Sequence, residues 1–176
     1  MRGIALHVYT PRARLVRNDE FMVKRTRSPG KVRPNGLTGA RQVVQGATSR
    51  ALGVRLISLT RKKVTAEMRI KRLHINRAGR VNGGTIMAFA DALGAAGTVA
   101  NLAPGYRTAT LESKTDFFAA GAGPALSGVA IPRHIGRTTM VWQTTIKNPD
   151  GRKVAIVTQT QIVIAANERP RGRSEE

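Results

Sequence analysis

Asp91 is the only ionisable residue in the stretch NGGTIMAFADALGAAGTVAN, which covers residues 82–101. A carboxylate in such apolar surroundings can act as a general base or nucleophile, or it can be the buried partner of a cation. Gly83 and Gly84 begin the same stretch. The first N–H groups of a helix have no intrahelical partner and can polarise a carbonyl oxygen, although glycines there can also serve only a turn and close packing. The residues therefore point to chemistry on a carbonyl group, with a structural alternative for each.

The stretch that carries these residues is predicted to be a helix. It is rich in alanine, and over about 16 positions it has few β-branched residues and no strand-like alternation. A helix that is apolar all round must be covered on every side. Its short length, its small residues and Asp91 argue against a membrane span.

The spacing of Gly83 and Asp91 carries a prediction about assembly. Eight residues of helix separate them, which is roughly 12 Å along the axis. Both groups cannot act on one carbonyl from the same chain at that distance. Two antiparallel copies related by a two-fold axis would bring Gly83 of one near Asp91 of the other. We therefore expect composite sites in a homodimer or in a tetramer built as a dimer of dimers.

The segments on either side of the helix are predicted to be mostly strands. A short helix over residues 43–53 precedes two strands, and an irregular loop over 74–84 leads into the long helix. The six predicted strands are 54–60, 63–70, 107–119, 125–135, 137–148 and 153–165. The turn sequence Asn148-Pro149-Asp150-Gly151 predicts an antiparallel hairpin of the last two strands. Pro132 predicts an edge position or a bulge in its strand.

Charge is the strongest compositional signal. The chain of 176 residues has 30 Lys and Arg against 10 Asp and Glu, a net charge of +20. Residues 1–44 hold ten basic and two acidic side chains and contain several turn signals, which predicts a basic, poorly ordered N-terminal extension. One domain is expected over residues 45–166, followed by a disordered tail over 167–176. The basic excess favours polyanionic partners, and nucleic acid binding through the extension is one alternative.

Other compositional features exclude several classes of function. The chain has no cysteine, which rules out disulfides, thiol nucleophiles and Cys-ligated metals, and which fits the cytoplasm. Three scattered histidines give no metal site. Few aromatic residues and no recognisable recognition module argue against nucleic acid as the main partner. The first 30 residues lack the apolar run of a secretory signal.

Three motifs and their spacing resemble the hot-dog fold thioesterases of the phenylacetate-degradation type. The family's His-x-Asn-x-x-Gly loop, its His-Gly-Gly turn and its acidic residue nine positions after that second His are matched by His74 to Gly79, by Asn82-Gly83-Gly84 and by Asp91. Downstream, TLESKTDFF (110–118) resembles the strand after the family's helix, and RHIGRTT (133–139) resembles its His-x-Gly-Arg segment. The resemblance covers about residues 45–166. It implies an α+β hot-dog fold, in which a curved antiparallel sheet wraps around a long central helix.

The same resemblance implies an acyl-CoA thioesterase that needs no cofactor beyond the coenzyme A of its substrate. Asp91 takes the place of the family's general base or nucleophile, and Asn76 that of the amide that helps to hold the attacking water. Asn82 replaces the family's His; it can donate a hydrogen bond but cannot carry a proton. This departure leaves open a non-catalytic acyl-CoA-binding or sensor protein on the same fold.

Substrate binding is expected at two further places. Gly84 lies beside the carbonyl-polarising turn, and His134, Gly136, Arg133 and Arg137 belong to the His-x-Gly-Arg segment. Arginine binds phosphate groups bidentately, so the two arginines are candidates for the phosphates of coenzyme A. The alternative is that they are solvated arginines at the end of a strand, and His134 is equally suited to packing.

Overall fold

The structure, a computed structural model, describes residues 35–166. Six antiparallel strands form one sheet in the order β1-β2-β4-β5-β6-β3. Within residues 35–166 the helices are α1 (Gly36–Val44), α2 (Ala47–Ala51) and α3 (Gly83–Asn101), and a 3-10 turn lies at Arg72–His74. The strands are β1 (Val54–Thr60), β2 (Lys63–Arg69), β3 (Tyr106–Phe117), β4 (Ala125–Ile135), β5 (Thr139–Lys147) and β6 (Lys153–Ala165).

Helix α3 lies at the centre and contacts all six strands. Phe89 and Leu93 of α3 and Trp142 of β5 are fully buried in the core between helix and sheet. Close approach requires glycine, because a Cβ at Gly97 would lie 2.6 Å from the Trp142 ring. The predicted α+β architecture, a sheet wrapped around one long helix, is confirmed.

The strand predictions hold with small shifts at the ends. β5 and β6 pair as an antiparallel hairpin across the turn at 148–151, where Gly151 has a φ of 83°. The register of β4 against β5 shifts between Pro132 and His134, which confirms the bulge. β2 pairs with β4 only up to Ala130, so Pro132 also lies where β4 has lost one neighbour. Its missing N–H therefore costs no ladder hydrogen bond on that side.

The prediction for residues 36–44 was wrong. The sequence predicts a poorly ordered extension here, but residues 36–44 form α1, which packs against α3 with Gly39, Ala40 and Val44 buried. Small residues make this contact, so the segment lacks the large apolar periodicity that marks a packed helix. The predicted helix over 43–53 is also interrupted at 45–46, where Gly46 caps the short α2. Residues 1–34 and 167–176, the rest of the predicted extension and the tail, lie outside the described residues.

The single chain does not cover α3 on every side. One face carries five residues that are partly or fully exposed, which we call the open stripe: Gly84, Met87, Ala88, Asp91 and Ala95. The open stripe borders β3, one of the two edge strands of the sheet, through a hydrogen bond from Thr110 to Asp91. Within residues 35–166, none of the helices has both the length and the hydropathy of a membrane span.

Candidate active site

Asn82 shapes the first turn of α3. It is the N-cap residue, and its Oδ1 accepts a hydrogen bond of 2.8 Å from the N–H of Gly84. The Gly84 amide is therefore already used. The N–H of Gly83, the first helical residue, has no intrahelical acceptor, and no described residue accepts from it. Gly83 is the donor that remains for a ligand at this helix end, where the dipole favours negative charge.

Phe117 lies directly over Gly83. A Cβ on Gly83 would come 3.2 Å from Cζ of the Phe117 ring, and Phe117 is itself half exposed. Sequence reasoning gave this aromatic no role in the site. Its position becomes visible only when the end of β3 is placed beside the start of α3.

The loop before α3 uses Asn76 for its own structure. The Oδ1 of Asn76 accepts hydrogen bonds from the backbone N–H groups of Ala78 (2.9 Å) and Arg80 (3.1 Å). A bridge between Ile75 and Val81 closes the loop. Only the NH₂ group of the exposed Asn76 is left to contact a water molecule.

His74 is a buried residue at the start of this loop. It is fully buried, its Nδ1 accepts a hydrogen bond of 3.1 Å from the backbone N–H of Lys71, and its Nε2 has no partner within the described residues. Its carbonyl oxygen accepts from the N–H of Asn82 at 2.7 Å, which ties it to the start of α3. Burial, together with the nearby charge of Lys71, lowers the pKa of His74 below its ordinary value.

Asp91 lies half-buried on the open stripe and is held by neutral donors. Its Oδ1 accepts from the Thr110 hydroxyl at 2.9 Å and from Nε2 of Gln159 at 3.2 Å. The salt bridges among residues 35–166 are Arg55–Glu67 and Lys114–Asp116, so no described cation pairs with Asp91. Within residues 35–166, Asp91 is therefore not paired with a cation.

Two glutamines of β6 lie behind these contacts. Gln159 and Gln161 are both fully buried, and Nε2 of Gln161 donates to the Thr110 hydroxyl at 2.8 Å. Sequence reasoning missed both residues and Thr110. The alternation TQTQ over 158–161 was the available signal, because it places two amides on the same face of one strand.

Gly83 and Asp91 do not meet within one chain. They lie at the start and in the middle of the same helix, roughly 12 Å apart along its axis. Met87, which is 36% exposed, lies midway between them on the open stripe. One chain therefore presents a donor and a carboxylate that cannot both reach a single carbonyl group.

The His-x-Gly-Arg segment lies elsewhere, at the turn between β4 and β5. His134 packs over Gly136, where a Cβ would come 2.4 Å from the His134 Nε2. Arg133 donates to Gln143, which alternates with the inward-facing Trp142 and therefore lies on the outer face of the sheet.

This turn is distant from Gly83 in the same chain. Arg137 is exposed, and Thr139 follows it at the start of β5. Thr139 pairs with Ile162 of β6, and Ile162 pairs in turn with Ala109 of β3. Phe117 lies over Gly83 and is eight residues from Ala109 along β3, a distance of roughly 26 Å. The fold therefore does not bring these four predicted substrate-binding residues to the Gly83 end of α3. Among residues 35–166, no group of three His, Asp or Glu side chains is placed to bind a metal.

Comparison with known proteins gives the family. The model of the thioesterase superfamily matches residues 78–155, which include Gly83, Asp91 and Thr110. A presumed esterase of Deinococcus radiodurans is 31% identical over 136 residues, which cover 76% of this chain and 82% of the relative. This chain therefore belongs to the thioesterase superfamily.

Solved structures agree on the fold. The PaaI protein of the phenylacetic acid degradation operon of Escherichia coli is 25% identical, with a TM-score of 0.64 over 72% of this chain and 94% of that chain. A hypothetical thioesterase of Streptococcus pneumoniae, solved with coenzyme A, is 22% identical, with a TM-score of 0.62 over 67% and 92% of the two chains. The hot-dog fold inferred from the motifs is confirmed, and family membership supports thioester hydrolysis as the general activity.

Proposed function

We propose that this chain is an acyl-CoA thioesterase in which Asp91 is the general base or nucleophile and the N–H of Gly83 polarises the thioester carbonyl. The observation that carries the proposal is the placement of Asp91. It is a carboxylate on an exposed face of the central helix, hydrogen-bonded only by neutral donors among the described residues. An ionised carboxylate without a paired cation is free to accept a proton.

The proposed reaction balances with water as the only second reactant. As general base, Asp91 takes a proton from water while the water oxygen bonds to the carbonyl carbon. The developing oxyanion accepts a hydrogen bond from Gly83, where the helix dipole also favours negative charge. The C–S bond then breaks, and the thiolate of coenzyme A takes up the proton. The products are a carboxylic acid and free coenzyme A, so no cofactor is required.

We further propose that each site is formed by two copies of the chain. β3 is a long edge strand with an exposed Leu111, and the open stripe lies beside it. Antiparallel pairing of two β3 edges would set two α3 helices side by side, at the usual interaxial distance of about 8–10 Å. If the two-fold axis passes at Met87, Gly83 of one copy lies level with Asp91 of the other, since Met87 is four residues from each.

The coenzyme A part of the substrate follows from the structural relatives and from charge. The Streptococcus pneumoniae protein was solved with coenzyme A, and coenzyme A carries phosphates that arginine binds well. Arg133 and Arg137 are both exposed, which leaves them accessible to such groups. Asn76 keeps its NH₂ for the attacking water, and His134 and Gly136 shape the turn beside the arginines. We propose the cytoplasm as the location, because the sequence has no cysteine.

The direct test is a panel of aliphatic and aromatic acyl-CoA thioesters with release of free thiol as the readout. The wild-type chain is expected to turn over at least one member, and Asp91→Ala is expected to lose that turnover. Asp150→Ala is the matched control, because Asp150 is an exposed carboxylate in the turn between β5 and β6. Undiminished turnover by Asp91→Ala would contradict the proposal.

A mixing experiment tests the composite site. Gly83→Val places a side chain against Phe117 and blocks the carbonyl position, so it should be inactive, as should Asp91→Ala. Co-refolding equal amounts should restore roughly a quarter of wild-type activity. Half of the randomly formed dimers are mixed, and each mixed dimer has one intact site. Absence of any recovery in mixed dimers would show that each site lies within one chain.

A non-catalytic acyl-CoA-binding protein is the second candidate, and one observation favours it. Asn82 stands where the family has His, and its side chain caps its own helix. Tight binding of an acyl-CoA without turnover across the whole panel would select this second function.

A further inference from the structure

The core around Gln159 is built to direct its amide at Asp91. A Cβ at residue 94 would lie only 2.4 Å from the Gln159 side-chain carbon Cδ, so Gly94 is what lets the amide lie against α3. Its Nε2 donates to Oδ1 of Asp91, while its Oε1 is buried without a partner among the described residues. A buried unpaired acceptor is costly. The orientation is nevertheless the one that presents a donor, and not an oxygen, to the carboxylate.

Gln161 directs a second donor to the same oxygen. Its Oε1 lies 3.0 Å from the Thr108 hydroxyl, and its Nε2 donates to the Thr110 oxygen at 2.8 Å. With that oxygen already accepting, the hydroxyl hydrogen of Thr110 is left for Oδ1 of Asp91. Two series of hydrogen bonds, one from Gln159 and one from Gln161 through Thr110, therefore end at Oδ1 of Asp91. No described residue donates to Oδ2.

We propose that Gln159 and Gln161 are positioning residues, which hold Oδ1 of Asp91 and leave Oδ2 as the oxygen that acts on water or thioester. The inference rests on the proposed function of Asp91. Two donors on one oxygen fix rotation of the carboxylate, and because both are neutral they orient it without pairing its charge with a cation. A cation in the same place would favour the ionised form more strongly and weaken the base.

Kinetics of four variants test the assignment. Gln159→Met keeps the length of the side chain and removes the donor, and Gln161→Leu removes the link to Thr110. We expect kcat to fall roughly 10-fold for Gln159→Met and several-fold for Gln161→Leu, as for loss of a hydrogen bond to a charged group. KM should change little in both. Thr160→Val is the matched control, because Thr160 lies between the two glutamines and faces the opposite side of β6. Gln159→Leu also removes the donor and should lower kcat in the same way if Gln159→Met does not fold.

Double variants separate the two routes. Gln161 acts through Thr110, so Gln161→Leu should have no further effect in a Thr110→Val background, whereas Gln159→Met should still lower kcat there. Thr110→Ser keeps the hydroxyl and should restore most of the activity that Thr110→Val loses. Additive effects of Gln161→Leu and Thr110→Val would overturn the proposed link.

A measurement that does not depend on turnover decides the inference separately from the proposed function. The side-chain carboxyl carbon of Asp91 can be followed by NMR at one fixed pH. Gln159→Met and Gln161→Leu should each shift this resonance, because each removes a donor from a series of hydrogen bonds that ends at Oδ1, while Thr160→Val should leave it in place. An unchanged resonance in both glutamine variants overturns the positioning role, even if Asp91→Ala abolishes hydrolysis. A shifted resonance in a chain that hydrolyses no acyl-CoA supports the contacts and overturns the proposed function.

Discussion

Two polar residues on the same face of α3, one in each half of the helix, differ in burial and in hydrogen-bond partners. Asp91 and Thr98 lie seven residues apart, about two turns, and so point the same way. Asp91 is partly exposed and reaches across to β3 and β6, whereas Thr98 is fully buried and donates only to the carbonyl of Gly94 in its own helix. One half of the helix face is open and the other is closed.

Packing in the closed half uses small residues that let other elements approach. Gly97 receives the ring of Trp142, and α1 packs on α3 through Ala40 and Val44. Asn35 fixes the start of α1 by donating to the carbonyl of Tyr106 at 2.9 Å, beyond the end of α3. The open half has equally small residues but borders an edge strand. Within the single chain, the buried half of α3 therefore stabilises the fold, and the exposed half is available for binding and chemistry.

The largest contrast is expected for Asp91→Asn. Loss of the base should lower kcat roughly 10²- to 10⁴-fold. The free energy of unfolding in urea should stay nearly unchanged, because an amide still accepts from Thr110 and Gln159. A substantial fall in the free energy of unfolding of Asp91→Asn would show that Asp91 contributes mainly to the stability of the fold.

Met87→Cys should join two chains at the centre of the open stripe. The sequence has no cysteine, so the introduced thiol has only its copy in a second chain as a partner. Oxidation should give a covalent dimer that keeps activity and whose Tm no longer depends on protein concentration, because the two copies can no longer separate. Ile57→Cys, on the opposite edge strand and 48% exposed, is the control that should remain a monomer on a denaturing gel. Equal cross-linking of the two variants would argue against a two-fold axis at Met87.

Gly97→Ala should act on stability. The added methyl group meets the Trp142 ring at 2.6 Å, and overpacking of this kind costs about 1–3 kcal/mol. The higher helix propensity of alanine offsets less than that, about 1 kcal/mol. Trp142→Phe should recover part of the loss in the Gly97→Ala background, although it destabilises the wild type. Urea denaturation of the four proteins gives the coupling energy, and a value of zero would contradict the clash.

The smallest effect on stability is expected from His74, which lies at the start of the loop that leads into the open half of α3. Burial lowers its pKa below the ordinary value of 6.5, so near pH 6 the unfolded chain binds more protons than the folded one. Stability that is present above pH 6.5 is then lost as the pH falls below that value. The Tm should drop between pH 7.5 and 5.5, and His74→Asn, which can still accept from Lys71, should show a smaller drop. A drop of wild-type size in His74→Asn would contradict this origin of the pH dependence.

Much of the fold could be predicted from local patterns. Alternation within each strand, the hairpin turn at 148–151 and the alanine-rich stretch 82–101 each depend on neighbours in sequence, and each was predicted in the right place. The helix α1 was missed because its contacts are made by Gly39 and Ala40, whose small size leaves little periodicity. Its burial depends on a helix more than forty residues later in the chain.

The candidate site was predictable only in part. Asp91, Gly83 and Asn82 form a local motif on one helix, so the sequence was enough to find them. Thr110, Gln159, Gln161 and Phe117 become neighbours of these residues only through the pairing of β3 with β6 and the packing of both against α3.

The sequence by itself determined that a lone carboxylate and a pair of glycines would share one helix at a fixed separation, because helix rise is constant. Tertiary structure alone decided which side of that helix stays open and which oxygen of Asp91 receives donors. Those outcomes depend on strand register and on the packing of segments distant in the chain, which composition and spacing do not specify.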